Sequence, residues 1–339
     1  MIPDNVKKLL EKQHYKIIGF KGHSAVQICR WTKKSLRDEG VCYKEKFYGI
    51  KSHLCCQMTP AVMWCPNRCI HCWRAIEYTI DSELPKDKDK LDSPIEIIDS
   101  AIKAQRKLLE GFKIVPETKH KNPSKVNMKK WQEAQEPMQF AISLSGEPTV
   151  YPMIGELINE LRKRGKTSFL VTNGLYPEKL KEIYEKNQMP TQLYVSVNSS
   201  DKESYNRFHR SLKKDAWERL NETLELLPVL GKKTRTVFRM NLVREINMKD
   251  EFIRGFAELI KKSKPQFIEL KGYMSVGFAR KRLGYDKMPT HKEIKNFAEK
   301  LIKELMLIQV KDYKFLDEQE VSRVVVLGKN KDELKIKGI

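Results

Sequence analysis

The placement of its cysteines constrains this chain more than any other feature. All seven lie between Cys29 and Cys72, and three form the run Cys65-Pro66-Asn67-Arg68-Cys69-Ile70-His71-Cys72, a C-x3-C-x2-C spacing. Three thiolates on one tight loop can hold three irons of a cubane and leave the fourth iron open to chelate a small molecule. Such a loop belongs at the C-terminal mouth of a parallel sheet, where barrel active sites sit. The bland alternative is structural zinc, with His71 as fourth ligand beside Cys65, Cys69 and Cys72. Zinc sites usually close with two ligand pairs, and the sequence has no distant C-x2-C pair.

The rest of the chain reads as a frame for that loop. From Ala61 onward, β-rich runs alternate with amphipathic helical stretches, the pattern of βα units around a parallel sheet. Strands are expected at 61–64, 139–144, 168–172, 193–198, 236–242 and 267–270, and helices at 154–164, 178–186, 216–227, 251–262 and 292–305. Ser93-Pro94-Ile95-Glu96 opens a further helix with an N-cap serine, a first-turn proline and a capping-box glutamate. Ile95, Ile98, Ile102, Leu109 and Phe112 follow at helical spacing. Six alternations predict an α/β fold: a partial (βα)6 barrel of TIM type with an N-terminal extension. The expected division is 1–58 for the extension, 59–310 for the core barrel and 311–339 for a C-terminal extension. Two stretches interrupt the pattern, a charged one at 81–92 and a basic one at 113–137 that reads as a surface insertion.

Charge narrows the partner. Lys and Arg number 65 against 44 acids, a net charge of +21 that suits a polyanion, nucleic acid first. Candidate contacts are Lys119, Lys121, Lys129, Lys130 and Trp131 in the insertion, with Arg207, His209, Arg210, Arg280, Lys281 and Arg282 further on. Taken singly, each is an ordinary solvated side chain. No apolar run approaches the roughly 20 residues of a spanning helix. The first residues lack the apolar core and cleavage site of a secretory signal, so a soluble cytoplasmic protein without a membrane partner is expected. In that reducing compartment the cysteines are ligands rather than a disulfide framework.

The C-x3-C-x2-C run just after a strand resembles the fingerprint of the radical S-adenosylmethionine (SAM) superfamily. Leu144-Ser145-Gly146-Glu147-Pro148-Thr149, after the second expected strand, resembles that superfamily's Gly-Gly-Glu motif, whose backbone and carboxylate meet the amino group of SAM. Thr172-Asn173-Gly174 closes the third expected strand with another turn familiar there. Singly these are common turns; their order and spacing carry the resemblance. Cys29, Cys42 and Cys55 are separated by twelve residues each, which suggests a second cluster with its own open iron. Spacing alone leaves Cys56 as an alternative to Cys55.

With Lys51-Ser52-His53-Leu54-Cys55-Cys56-Gln57-Met58-Thr59-Pro60 and Leu270-Lys271-Gly272-Tyr273-Met274 added, the chain from about residue 20 onward resembles the tRNA 4-demethylwyosine synthase family. The resemblance implies a lyase-type condensation of pyruvate with the 1-methylguanosine beside the anticodon of tRNA(Phe), in wyosine biosynthesis. It implies two [4Fe-4S] clusters, one on Cys65, Cys69 and Cys72 and one on Cys29, Cys42 and Cys55, with SAM met by Ser145, Gly146, Glu147, Thr172 and Asn173. Pyruvate would be chelated by the second cluster or held as a Schiff base by Lys44 or Lys51. An external electron donor and a monomeric enzyme complete the expectation. The rivals are another radical SAM RNA modifier, such as a methylating enzyme, and a zinc-bearing RNA-binding module.

Overall fold

Local signals start the elements where the sequence places them. Ser93 Oγ accepts the Glu96 N–H at 3.3 Å and the Glu96 carboxylate accepts the Ser93 N–H at 2.7 Å, closing the capping box of the helix Pro94–Leu109. The bonds from Ser93 hold the Glu96 carboxyl below its usual range. Ile97, Ile98, Ala101, Ala104, Gln105 and Leu109 face inward. Ile95, expected on the apolar face, is exposed.

The computed structural model describes residues 2–112 and 126–338. They fall into two compact units, one of residues 2–62, 84–112, 126–170 and 335–338, the other of residues 63–83 and 171–334. In the first, strands β1 (Lys16–Ile18), β2 (Ser24–Gln27), β3 (Cys55–Thr59) and β4 (Gln139–Ile142) lie in that order, with β5 (Thr167–Thr172) beside β4. β1, β2 and β3 pair antiparallel, and β3, β4 and β5 pair parallel, with Cys56 opposite Phe140 and Ala141 opposite Phe169. Parallel neighbours need crossover connections, and the helices Pro94–Leu109 and Ile154–Lys163 supply them. The latter buries Ile154, Leu157, Ile158 and Leu161, side chains that stabilise by about 1.5–3 kcal/mol each when fully covered.

The strand expected at 61–64 is displaced. The strand there is β3, which stops at Thr59 because Pro60 has no N–H to continue a ladder. Ala61–Trp64 is a turn with Met63 at φ 69°, and its apolar side chains read as a strand because all four are buried.

In the second unit, β6 (Gln192–Ser196), β7 (Arg235–Leu242) and β8 (Phe267–Gly272) pair parallel, linked by the helices Ala216–Leu230 and Ile253–Ser263. A C-terminal hairpin, β9 (Lys314–Gln319) and β10 (Val324–Gly328), then adds antiparallel through β10 to β8. β10 is buried along its whole length, and the helix His291–Leu307 packs on it and on β8. Among the described residues no helix is long and apolar enough to cross a membrane.

Candidate active site

The loop carrying Cys65, Cys69 and Cys72 is pinned by its backbone. The Cys65 N–H donates to Asp81 O at 2.9 Å, the Arg68 N–H to His209 O at 2.8 Å, the Ile70 N–H to Phe208 O at 3.1 Å, and Leu212 N–H to Pro66 O at 2.8 Å. The Arg68 guanidinium donates to Cys65 O at 2.6 Å. His209 Nδ1 lies 3.3 Å from Cys69 Sγ, and Asn173 Nδ2 lies 4.0 Å from Cys65 Sγ. Burial pushes the Cys69 thiol well above its ordinary range, and the charges of Cys65 and Cys72 push it further. Burial likewise raises Cys72, opposed by Arg74 and Arg282. Cys69 and Cys72 are therefore held as neutral thiols unless positive charge is brought beside them.

His71, the alternative fourth ligand, lies between Cys69 and Cys72 in the chain, its Nδ1 buried and, among the described residues, without a hydrogen-bond partner. Its ring stacks on Phe208 at 4.7 Å between centroids. Burial, with the charges of Arg239 and Arg282, lowers its pKa to about 3, so the ring is neutral. Among the described residues no group of three or more His, Cys, Asp or Glu side chains closes on a single ion.

Asn173 sits in a turn of its own making. The Gly174 N–H donates to Thr172 Oγ1 at 3.1 Å, the Leu175 N–H to Asn173 Oδ1 at 3.0 Å, and Thr223 Oγ1 to Gly174 O at 2.7 Å. Gly174 has φ +76°, and a Cβ there would meet Leu220 at 2.9 Å, so the turn requires glycine.

In the first unit, Cys29 caps the helix Arg30–Leu36, Cys42 caps Tyr43–Tyr48, and Cys55 opens β3. The three converge. The Cys55 thiol is pushed far up, by burial first and then by the charges of Cys29 and Cys42, while the Lys44 ammonium opposes them. Alternation along the strand sends Cys56 the other way: it is fully buried, and Lys166 is the cation that acts on it. Lys44 Nζ lies 4.8 Å from the centroid of the Phe169 ring. Lys51 is exposed. Sequence reasoning missed the hub beside them: the Glu45 carboxylate accepts the Ser52 N–H at 2.7 Å and Oγ–H at 2.6 Å, while Ser52 Oγ accepts the Cys42 N–H at 2.9 Å. At the end of β4, Gly146 has φ 76°, Ser145 O accepts Thr59 Oγ1–H at 2.6 Å, and the buried Glu147 carboxylate accepts the Thr149 N–H and Oγ1–H at 3.1 and 2.6 Å.

The expected nucleic-acid contacts divide. Lys129, Arg207, Arg210, Arg280 and Lys281 are exposed. Trp131 instead donates its Nε1–H to Leu109 O at 2.8 Å and packs on Ile28, Leu36, Leu109 and Ala134. Lys130 is tied to Asp38 at 2.6 Å. His209 is buried against Cys69, and Arg282 is turned onto the cysteine loop rather than to solvent. Partnerships formed across the fold engage all four of these side chains. Lys119 and Lys121 lie outside the described residues.

The sequence matches the Radical SAM superfamily over residues 60–257 and the family described as Wyosine base formation over residues 262–329. It is 47% identical over 326 residues to the S-adenosyl-L-methionine-dependent tRNA 4-demethylwyosine synthase of Pyrococcus abyssi, covering 96% of this chain and 89% of that one. The chain belongs to the tRNA 4-demethylwyosine synthase family. The synthase of Methanocaldococcus jannaschii is 39% identical over 328 residues, 96% of each chain. A solved structure of TYW1 with a lysine-pyruvate adduct bound superposes with a TM-score of 0.80 at 37% identity, over 99% of this chain and 98% of that one. The α/β, partial-barrel class expected from the sequence is therefore the class of this member of the family, and the chain is a radical SAM enzyme that uses SAM and a [4Fe-4S] cluster.

Proposed function

We propose that this enzyme condenses pyruvate with the 1-methylguanosine beside the anticodon of tRNA(Phe), that Cys65, Cys69 and Cys72 hold the SAM cluster, and that Cys29, Cys42 and Cys55 hold a second [4Fe-4S] cluster. One observation carries the reading: Cys29, Cys42 and Lys44 all lie close enough to act on the buried Cys55 thiol, with Lys44 Nζ over the Phe169 ring of β5, and a keto acid needs an amine or an open iron to hold it. Family membership supports the substrates, and the relative solved with a lysine-pyruvate adduct supports a lysine.

Cluster and SAM together supply one-electron hydrogen abstraction directed at the N1-methyl group. The chain's residues do the positioning. Glu147, with Ser145 and Gly146, presents a buried carboxylate and strand-end backbone to the amino group of SAM. Thr172 shapes the turn from which Asn173 directs its amide at Cys65. Lys44 attacks the keto carbon of pyruvate through its amine, and water leaves as the Schiff base forms. Lys51, exposed, is the weaker candidate, and direct chelation of pyruvate by the second cluster is the other route. Lys129, Arg207, Arg210 and Arg280 offer exposed charge for phosphates. The core barrel at 59–310, its flanking extensions, a monomeric state, an external electron donor and a cytoplasmic setting belong to the same proposal.

Borohydride trapping with pyruvate, read as intact mass, tests the lysine. Wild type and Lys51→Ala gain the reduced adduct, and Lys44→Ala gains none. An undiminished adduct in Lys44→Ala contradicts the assignment.

A further inference from the structure

The cysteine loop lies in the part of the chain that matches the whole superfamily, residues 60–257, yet it is bonded from residues 262–329, the part that matches the wyosine-forming family. Arg282, in the short helix Ala279–Leu283, directs its guanidinium at the loop's backbone. Nε donates to Ile70 O at 3.2 Å, Nη2 to Arg74 O at 3.1 Å and also to Cys72 O, and Nη1 pairs with the Glu77 carboxylate. Its side chain is only 14% exposed. Three of the loop's carbonyls thus converge on one planar cation, a match of fork geometry that lysine cannot reproduce.

A second feature of the same segment is independent of Arg282. The Phe278 N–H donates to Trp73 O at 3.1 Å, and Gly277, at φ +56°, lies so close that a Cβ would meet that oxygen at 2.4 Å. Below it, Ala279 is buried with Phe208, Val243 and Tyr273, against which Ile70 of the loop and Leu283 of the helix pack. Backbone, glycine, guanidinium and apolar contacts all bear on residues 70–74.

We propose that residues 277–282 are a brace for the cysteine loop and that Arg282 is a positioning residue for the SAM cluster, fixing Cys69 and Cys72 and placing positive charge beside their thiolates. The inference rests on the reading that Cys65, Cys69 and Cys72 hold that cluster. Reduction adds negative charge to a cluster that three thiolates already make anionic. A nearby fixed cation favours the reduced form, so removing it moves the potential negative. The family-specific segment would in this way set how readily the shared chemistry begins, before any tRNA or pyruvate is bound.

The test uses full-length enzyme, reconstituted anaerobically as wild type, Arg282→Met, Arg282→Lys and Gly277→Ala. Its readouts are the electron paramagnetic resonance signal that changes on adding SAM, the midpoint potential of that signal, and the rate of 5′-deoxyadenosine formation without tRNA. Arg282→Met is expected to move the potential negative and slow 5′-deoxyadenosine formation by about tenfold or more, the scale of lost outer-shell contacts at metal sites. Arg282→Lys falls between, retaining charge without the fork, and Gly277→Ala shifts in the same direction by displacing Trp73. A folded Arg282→Met that loses the SAM-responsive signal altogether also supports the brace. If Arg282→Met does not fold, Arg282→Lys and Gly277→Ala decide, and wild-type values in both overturn the proposal. Wild-type potential and rate in folded Arg282→Met overturn it directly. A wild-type enzyme with no SAM-responsive signal defeats the cluster assignment itself, a failure visible before any variant is made.

Discussion

Cys55 and Cys56 are adjacent thiols of β3 with opposite surroundings: Cys29, Cys42 and Lys44 act on one, while the other is fully buried and feels Lys166. Spacing leaves both open; strand alternation puts them on opposite faces and favours Cys55 in the proposed cluster. If the two cysteine trios have separate roles, Cys29→Ala should still cleave SAM to 5′-deoxyadenosine while making no tricyclic base, read by mass spectrometry of the products. Loss of all SAM cleavage in a folded mutant with its first cluster intact would contradict separate roles. The same scale shows where sequence reasoning fails. The ligand candidates were legible because cluster chemistry fixes residue type and spacing. The partners of Arg282 and Trp131 were not legible because they lie far along the chain, Ile70 to Arg74 for one and Leu109 for the other. His209, beside Cys69, left no local signal of that contact.

Elements with local start signals were the readable ones. The capping box at Ser93 and the helix Ile154–Lys163 that follows β4 stand close to where the sequence put them. Ser93→Ala removes the side-chain acceptor for the Glu96 N–H and should cost about 1 kcal/mol, seen as a lower urea midpoint with an unchanged slope; an unchanged midpoint would show that tertiary packing alone sets this helix. At the helix His291–Leu307, Arg244 and Thr290 hold the Glu293 carboxyl at about 2. Since that value lies below the unfolded one, the contribution is whole above the ordinary glutamate range and fades as pH falls toward about 2. Glu293→Gln should flatten that part of the acid-stability profile, and an identical profile would assign the acid loss elsewhere. β1, at three residues, is too short to show a period, and β9, exposed or half-buried at all but Leu316, gave no strand signal in the C-terminal extension. The first core strand was displaced because burial, not strand geometry, makes Ala61–Trp64 apolar.

At the scale of the whole molecule, the charge of +21 is a statement about the partner. With six to ten phosphate contacts, affinity for tRNA should fall by roughly 10³–10⁵ between 50 and 200 mM salt; a flat response would mean the lysines are ordinary solvated surface. The account's central claim is the reaction itself. The most direct measurement is an anaerobic assay with dithionite, SAM and tRNA(Phe) bearing 1-methylguanosine, with and without pyruvate, its nucleosides read by mass spectrometry. A pyruvate-dependent two-carbon gain on the guanosine is the predicted result, whereas 5′-deoxyadenosine formed without that gain would contradict it and leave a radical SAM enzyme with a different substrate.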